Sequence, residues 1–152
     1  MTLHRVTLDS WAILAWLQGE PSGSIVRDLL MWRMGHASAS ESLESIFQRA
    51  GGPPEVFLNI INLGEVFYIL GRKLGERTAF ETIRQVQAMP LEIVPADDKT
   101  VFDAARIKVR NRVSYADAFA IVTAKKKGAI LLTGDPEMRD VADVKVHYMR
   151  GA

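Results

Sequence analysis

Cysteine is absent from the 152 residues, which excludes disulfides and thiolate metal centres and fits a reducing compartment. Histidine is scarce, and His4, His36 and His147 stand apart with no ligand spacing, so surface or packing roles suit them best. Long apolar runs are missing too, and none would cross a bilayer. His4 and Arg5 precede an apolar stretch as in an export signal, but Asp9 and Gln18 interrupt it and no small-residue cleavage site follows. A soluble, cytoplasmic protein with no membrane partner is expected. Charge of one sign is also lacking: 19 basic and 18 acidic residues leave a formal net charge of +1, so any nucleic-acid surface has to be local. There is no internal repeat. What is present, 48% hydrophobic and 24% charged residues, suits one domain over 1–152 with a substantial core and no material for a second.

The pattern alternates between short apolar runs and helical periodicity. Val6 to Leu8 reads as a strand, and Trp11, Ile13, Leu14, Ala15 and Leu17 then recur at helical spacing. Glu20-Pro21-Ser22-Gly23 breaks the chain before a helix from Ser24 to Trp32. From Gly35 to Gly52 the sequence turns small and polar, with a short helical segment over Glu41 to Arg49 ended by Gly51-Gly52-Pro53-Pro54. Glu55 to Ile61 reads as a strand buried on both faces, followed by helices over Asn62 to Leu74 and Glu76 to Ala88. Leu91 to Val94, Ala129 to Leu132 and Val144 to Tyr148 complete five strands, with helices over Asp97 to Val109 and Ser114 to Lys127 between them. Ala116, Ala120 and Ala124 form a stripe that lets the last helix lie close to a sheet. Strands alternating with helices imply an α/β fold of three layers, a parallel sheet covered on both faces.

Four acids stand where an apolar run passes into a helix: Asp9, Glu65, Asp117 and Asp135. At the carboxyl edge of a parallel sheet they would converge where open α/β folds place their sites. Each close pair would repel by about 4 kcal/mol at an effective dielectric of about 20. A divalent cation would remove that penalty. Capping explains each acid singly: Asp9 as an N-cap, Asn62-x-x-Glu65 and Ser114-x-x-Asp117 as capping boxes, Asp135 as a cap before Pro136. Yet Ser, Thr or Asn would cap as well, and all four junctions carry a carboxylate. Oxygen ligands without Cys or a placed His point to Mg²⁺ or Mn²⁺, and such an ion makes phosphodiester hydrolysis the natural reaction.

These residues and their neighbours, Leu8-Asp9-Ser10, Asn62-Leu63-Gly64-Glu65-Val66, Tyr115-Ala116-Asp117-Ala118 and Leu131-Leu132-Thr133-Gly134-Asp135, resemble in order and rough spacing the motifs of PIN-domain nucleases. The chain is most similar to the VapC toxins of toxin–antitoxin pairs, from about Val6 to Tyr148. The resemblance implies a five-stranded parallel sheet in order 3-2-1-4-5, metal-dependent endoribonuclease activity on RNA, and a VapB-like antitoxin that occupies the site, with the protein itself expected as a homodimer or in a toxin–antitoxin hetero-oligomer. Carried over, Asp9 and Asp117 would be the main metal contacts, Glu65 and Asp135 would hold the ion or its waters, and Ser10, Asn62 and Thr133 would support the acids. For Asn62 a capping role is an equal alternative. The segment over 34–54 departs from the family as an extended helical or loop insertion.

Other signals have plainer explanations. Asp97-Asp98 starts a helix and reads as a cap. Lys125-Lys126-Lys127 suits a helix C-terminus, and Arg106, Lys108, Arg110 and Arg112 serve equally as a solvated face or as a route for RNA. Arg72 and Lys73 are similar. Trp11, Trp16 and Trp32 are expected to fill the core or a partner groove. Two other readings compete, a PIN nuclease in RNA processing outside a toxin pair and a receiver-like signalling domain. The second wants an amino-terminal acidic pair and a lysine after the fifth strand, both missing here. A nuclease-dead binding protein on this fold fits poorly with an intact acid set.

Overall fold

The computed structural model describes residues 5–149; His4 lies outside them. Five strands, β1 (Arg5–Leu8), β2 (Glu55–Asn59), β3 (Glu92–Val94), β4 (Ile130–Thr133) and β5 (Val146–Tyr148), form one sheet in the order β3-β2-β1-β4-β5. Every pairing is parallel. This is the 3-2-1-4-5 arrangement the resemblance implies, and it differs from the 2-1-3-4-5 order of flavodoxin- and receiver-type sheets.

Among the described residues six α-helices cover the sheet: α1 (Ser10–Leu17), α2 (Ser24–Arg33), α3 (Ile60–Leu74), α4 (Glu76–Gln87), α5 (Asp98–Arg110) and α6 (Tyr115–Lys127). Strand alternation divides the core between the two faces. Val6, Leu8, Val56, Leu58 and Leu132 pack with side chains of α1 to α4. Leu131 turns to the opposite face, among Phe119, Ile121 and Val122 of α6 and Ala104 and Ile107 of α5. Ala118 to Ala124 are all buried, as expected of a helix apolar on every side. Among the described residues no helix is long and apolar enough to cross a membrane.

Local chemistry sets the boundaries. Ser114 caps α6 by accepting the Asp117 N–H, and Gly128 ends it in the left-handed conformation (φ 59°), where its N–H bonds the Ala124 and Lys125 carbonyls. Asp97 caps α5 by accepting the Thr100 N–H at 2.9 Å, as the acidic pair there suggests. Two expectations need correction. The second strand stops at Asn59 instead of Ile61, because the Asn59 Oδ1 accepts the Ile61 N–H at 2.9 Å and starts α3 two residues early. Asn62-x-x-Glu65 is therefore no capping box, and Glu65 stands in the second turn of α3, past the junction.

The helix expected over 41–49 is also displaced. A 3₁₀ segment covers Ala37–Leu43 and another Arg49–Gly51. The hydroxyls of Ser40 and Ser42 donate to carbonyls three residues back, at 2.6 and 3.2 Å, and such local bonds favour the tighter turn. The segment lies on α2 and buries Leu43 and Phe47 in the core.

Candidate active site

The β1–β4 register places Leu8 beside Leu132, so the next residues, Asp9 and Thr133, meet at the carboxyl edge. Asp9 is fully buried and caps α1: its Oδ1 accepts the Ala12 N–H at 2.8 Å, and its Oδ2 accepts the Thr133 hydroxyl. The same hydroxyl oxygen accepts the Asp135 N–H at 3.1 Å, so Thr133 links two acids. Asp135 in turn caps the short turn Pro136–Met138, its Oδ1 accepting the Glu137 N–H at 2.9 Å. The capping explanations of Asp9 and Asp135 are thus correct. They do not exhaust either carboxylate, since each oxygen carries two lone pairs.

Asp117, in the first turn of α6, is 6% exposed, and its Oδ2 is buried without a hydrogen-bond partner. Leaving such an atom unpaired costs about 1–3 kcal/mol, a cost that a bound cation would offset. One oxygen each of Asp117, Asp135 and Glu137 lie within 4.8 Å of one another. Glu137 was missed in the sequence because it follows Pro136 in a turn with no periodicity. Its one signal is an acid two residues past another.

Electrostatics mark the same place. Burial pushes the Asp9 carboxyl up to about 7, against the pull of the Thr133 and Ala12 hydrogen bonds, and the charges of Asp135 and Glu65 push it further. Asp117 is also pushed up to about 7, by burial first and then by Asp135 and Asp9. The fourth acid, Glu65, is half-buried, and its Oε2 accepts the Tyr68 hydroxyl at 3.1 Å. Tyr68 carries the Arg72 guanidinium over its ring at 5.1 Å and was also not anticipated.

Behind the acids, Asn62 ties three helices together. Its Nδ2 donates to the Ser10 hydroxyl at 3.3 Å and to the Ala116 carbonyl at 3.0 Å, while the Ser10 hydroxyl donates to the Asn62 carbonyl at 3.2 Å. Ser10 and Asn62 therefore brace the backbone that carries Asp9 and Asp117, whereas Thr133 reaches an acid directly. Gly134 lets the chain pass this point: a Cβ there would lie 2.3 Å from the Trp11 ring.

All the donors are oxygens, and Asp117, one of whose carboxylate oxygens is buried and unpartnered, stands beside Asp135 and Glu137. That fits a hard divalent cation of the Mg²⁺ or Mn²⁺ kind.

Residues 6–144 match the PIN domain. The chain belongs to the PIN domain family. No curated protein matches the sequence. Among solved structures, the fold resembles VapBC2 from Rickettsia felis bound to a fragment of promoter DNA, at 13% identity and a TM-score of 0.63, covering 95% of this chain and 98% of that one. It also resembles VapC20 of Mycobacterium tuberculosis, a sarcin–ricin loop cleaving toxin, at 18% identity and a TM-score of 0.61, with 92% and 98% covered. FitAB bound to the IR36 DNA fragment is similar at 21% identity and a TM-score of 0.59, with 95% and 94% covered. At these identities the likeness is one of fold.

Proposed function

We propose that this PIN-family protein is a divalent-cation-dependent endoribonuclease, the toxin of a toxin–antitoxin pair, acting in the cytoplasm as one unit over 1–152. The observation that carries the reading is the Asp117 carboxylate, buried with one oxygen unpartnered and clustered with Asp135 and Glu137. An oxygen cluster of this kind favours a cation that completes its shell with phosphate oxygens and water. Asp9 and Asp117 are the principal ligands, with Glu65, Asp135 and Glu137 around them. Bound there, Mg²⁺ or Mn²⁺ supplies Lewis acidity, lowering the pKa of water and offsetting charge on phosphoryl oxygens.

The chain's own groups do the positioning. Thr133 and the Ala12 N–H fix both oxygens of Asp9, so its orientation needs no reorganisation. Tyr68 steadies Glu65 from the solvent side. Asp117 must be unprotonated to act as a ligand, and its raised pKa makes proton release part of cation binding. The antitoxin partner is inferred from the neighbours of like fold, several of which are toxin–antitoxin complexes. The antitoxin is VapB-like and covers the acids, in a hetero-oligomer.

The test is cleavage of single-stranded or loop RNA by the purified protein with Mg²⁺ or Mn²⁺, silenced by chelator. Asp117→Asn is expected to abolish cleavage with the fold retained by circular dichroism; full activity in that variant overturns the assignment. A reading frame immediately upstream that encodes a DNA-binding antitoxin distinguishes a toxin from a PIN nuclease of RNA processing.

A further inference from the structure

The chain is nearly neutral overall, yet its charge is unevenly placed. A groove of about 410 Å³ runs between α5 and α6, and its wall includes Lys99, Arg106, Arg110, Lys125 and Lys126 against a single acid, Asp103. Asp103 is already shared, with Lys99 Nζ at 3.0 Å, Arg106 Nη1 at 3.3 Å and Lys126 Nζ at 3.9 Å. Its carboxyl is held below the usual range, by the Lys99 hydrogen bond first. Arg110 and Lys125 are exposed and make no ion pair among the described residues. Asp97 tempers the charge at the Lys99 and Lys126 end only.

The placement matters as much as the charge. The Lys126 Nζ donates to the Thr100 hydroxyl at 2.6 Å, so the first turn of α5 lies against the last turn of α6 and the two helices are antiparallel. Arg110 therefore marks the groove end nearest the first turn of α6, where Asp117 stands. From Asp117 to Lys125 along α6 is about 12 Å, at 1.5 Å per residue. An acid cluster that suits a cation and a basic groove that suits phosphates are thus built on one helix.

We propose that this groove holds the phosphate backbone of the RNA strand flanking the bond cleaved at the acid cluster. The inference rests on the ribonuclease reading and names where its substrate lies. Backbone phosphates spaced along a single strand match a row of cations of this kind, and they release counterions when bound. A solvated helix face would not distinguish RNA from any other solute. Arg110 and Lys125 are the residues that decide between the two, because neither is engaged within the protein.

The experiment measures binding of a single-stranded RNA of about 12 nucleotides to the Asp117→Asn protein, with and without Arg110→Gln and Lys125→Gln, across a range of potassium chloride. Losing two phosphate contacts is expected to weaken binding on the order of tenfold and to lower the salt slope by about 1.4. In the otherwise unaltered protein the same pair of substitutions is expected to raise KM and leave kcat unchanged. Unchanged affinity and slope in a folded double variant overturn the groove assignment, while RNA cleavage by the unaltered protein leaves the ribonuclease reading standing. Absence of cleavage with the salt-dependent binding intact overturns the reading and keeps the groove. A polyglutamate peptide of equal charge that displaces the RNA at equal concentration also overturns the assignment, by showing an acidic-protein site.

Discussion

Thr133 donates its hydroxyl to Asp9 across the β1–β4 pairing, although the two are 124 residues apart in the chain. The contact holds a fully buried carboxylate at the edge of the sheet and opposes the burial that pushes its pKa up. Thr133→Val keeps the shape and removes the donor. The expected loss is about 1–3 kcal/mol of stability, read from urea unfolding, with weaker Mn²⁺ binding. Unchanged stability and unchanged Mn²⁺ binding together would count against this bond as the support of Asp9.

Asp9 and Asp117 both sit near 7, well above the ordinary carboxylate value of 3.8. A raised folded-state pKa means the unfolded chain loses its protons first. Without cation, stability is therefore expected to fall as pH rises from about 4 through about 7, by up to about 4 kcal/mol per group as an upper bound. Thermal melts in chelator at several pH values read this directly. Mn²⁺ is expected to raise the melting temperature more at pH 8 than at pH 5; the reverse order would contradict the pKa directions.

The same argument makes Asp117→Asn a stabilising change in the cation-free protein above neutral pH. A neutral amide removes a charge that burial and two neighbouring acids oppose. The variant is expected to melt higher than the unaltered protein in chelator at pH 8 and to gain nothing from Mn²⁺. A lower melting temperature in chelator would show that the carboxylate has a structural partner.

Glu137 is the exposed member of the group with Asp117 and Asp135. Glu137→Gln is expected to weaken Mn²⁺ binding several-fold in calorimetry, less than Asp117→Asn, with little change in stability because its side chain is solvated. Equal affinity in the variant would remove Glu137 from the ligand set.

Gly134 is constrained by packing, since a Cβ would lie 2.3 Å from the Trp11 ring. Gly134→Ala must displace the indole, with an expected cost of about 1–3 kcal/mol by denaturant unfolding and a shift in tryptophan fluorescence. A neutral result would mean that the ring moves freely.

Much of this protein is written in local chemistry. Apolar runs of strand length alternating with helical periodicity dictate a parallel sheet between helices, and capping residues such as Ser114, Asp97 and Gly128 set ends that the chain itself encodes. The presence of Asp9, Asp117 and Asp135 at such ends is likewise a property of the sequence. Other features depend on contacts between distant segments. Asn59 and Asn62 look alike in the sequence, but only packing makes one the cap of α3 and the other the brace to Ser10 and Ala116. The serine-rich stretch before Leu43 chooses a tighter helix through its own hydroxyls, which periodicity does not register. Glu137 joins the acids because the turn after β4 brings it back toward α6, and the basic groove exists because α5 and α6 lie antiparallel. The raised pKa values belong to the tertiary structure alone, since burial and the nearness of other charges arise only when the elements meet.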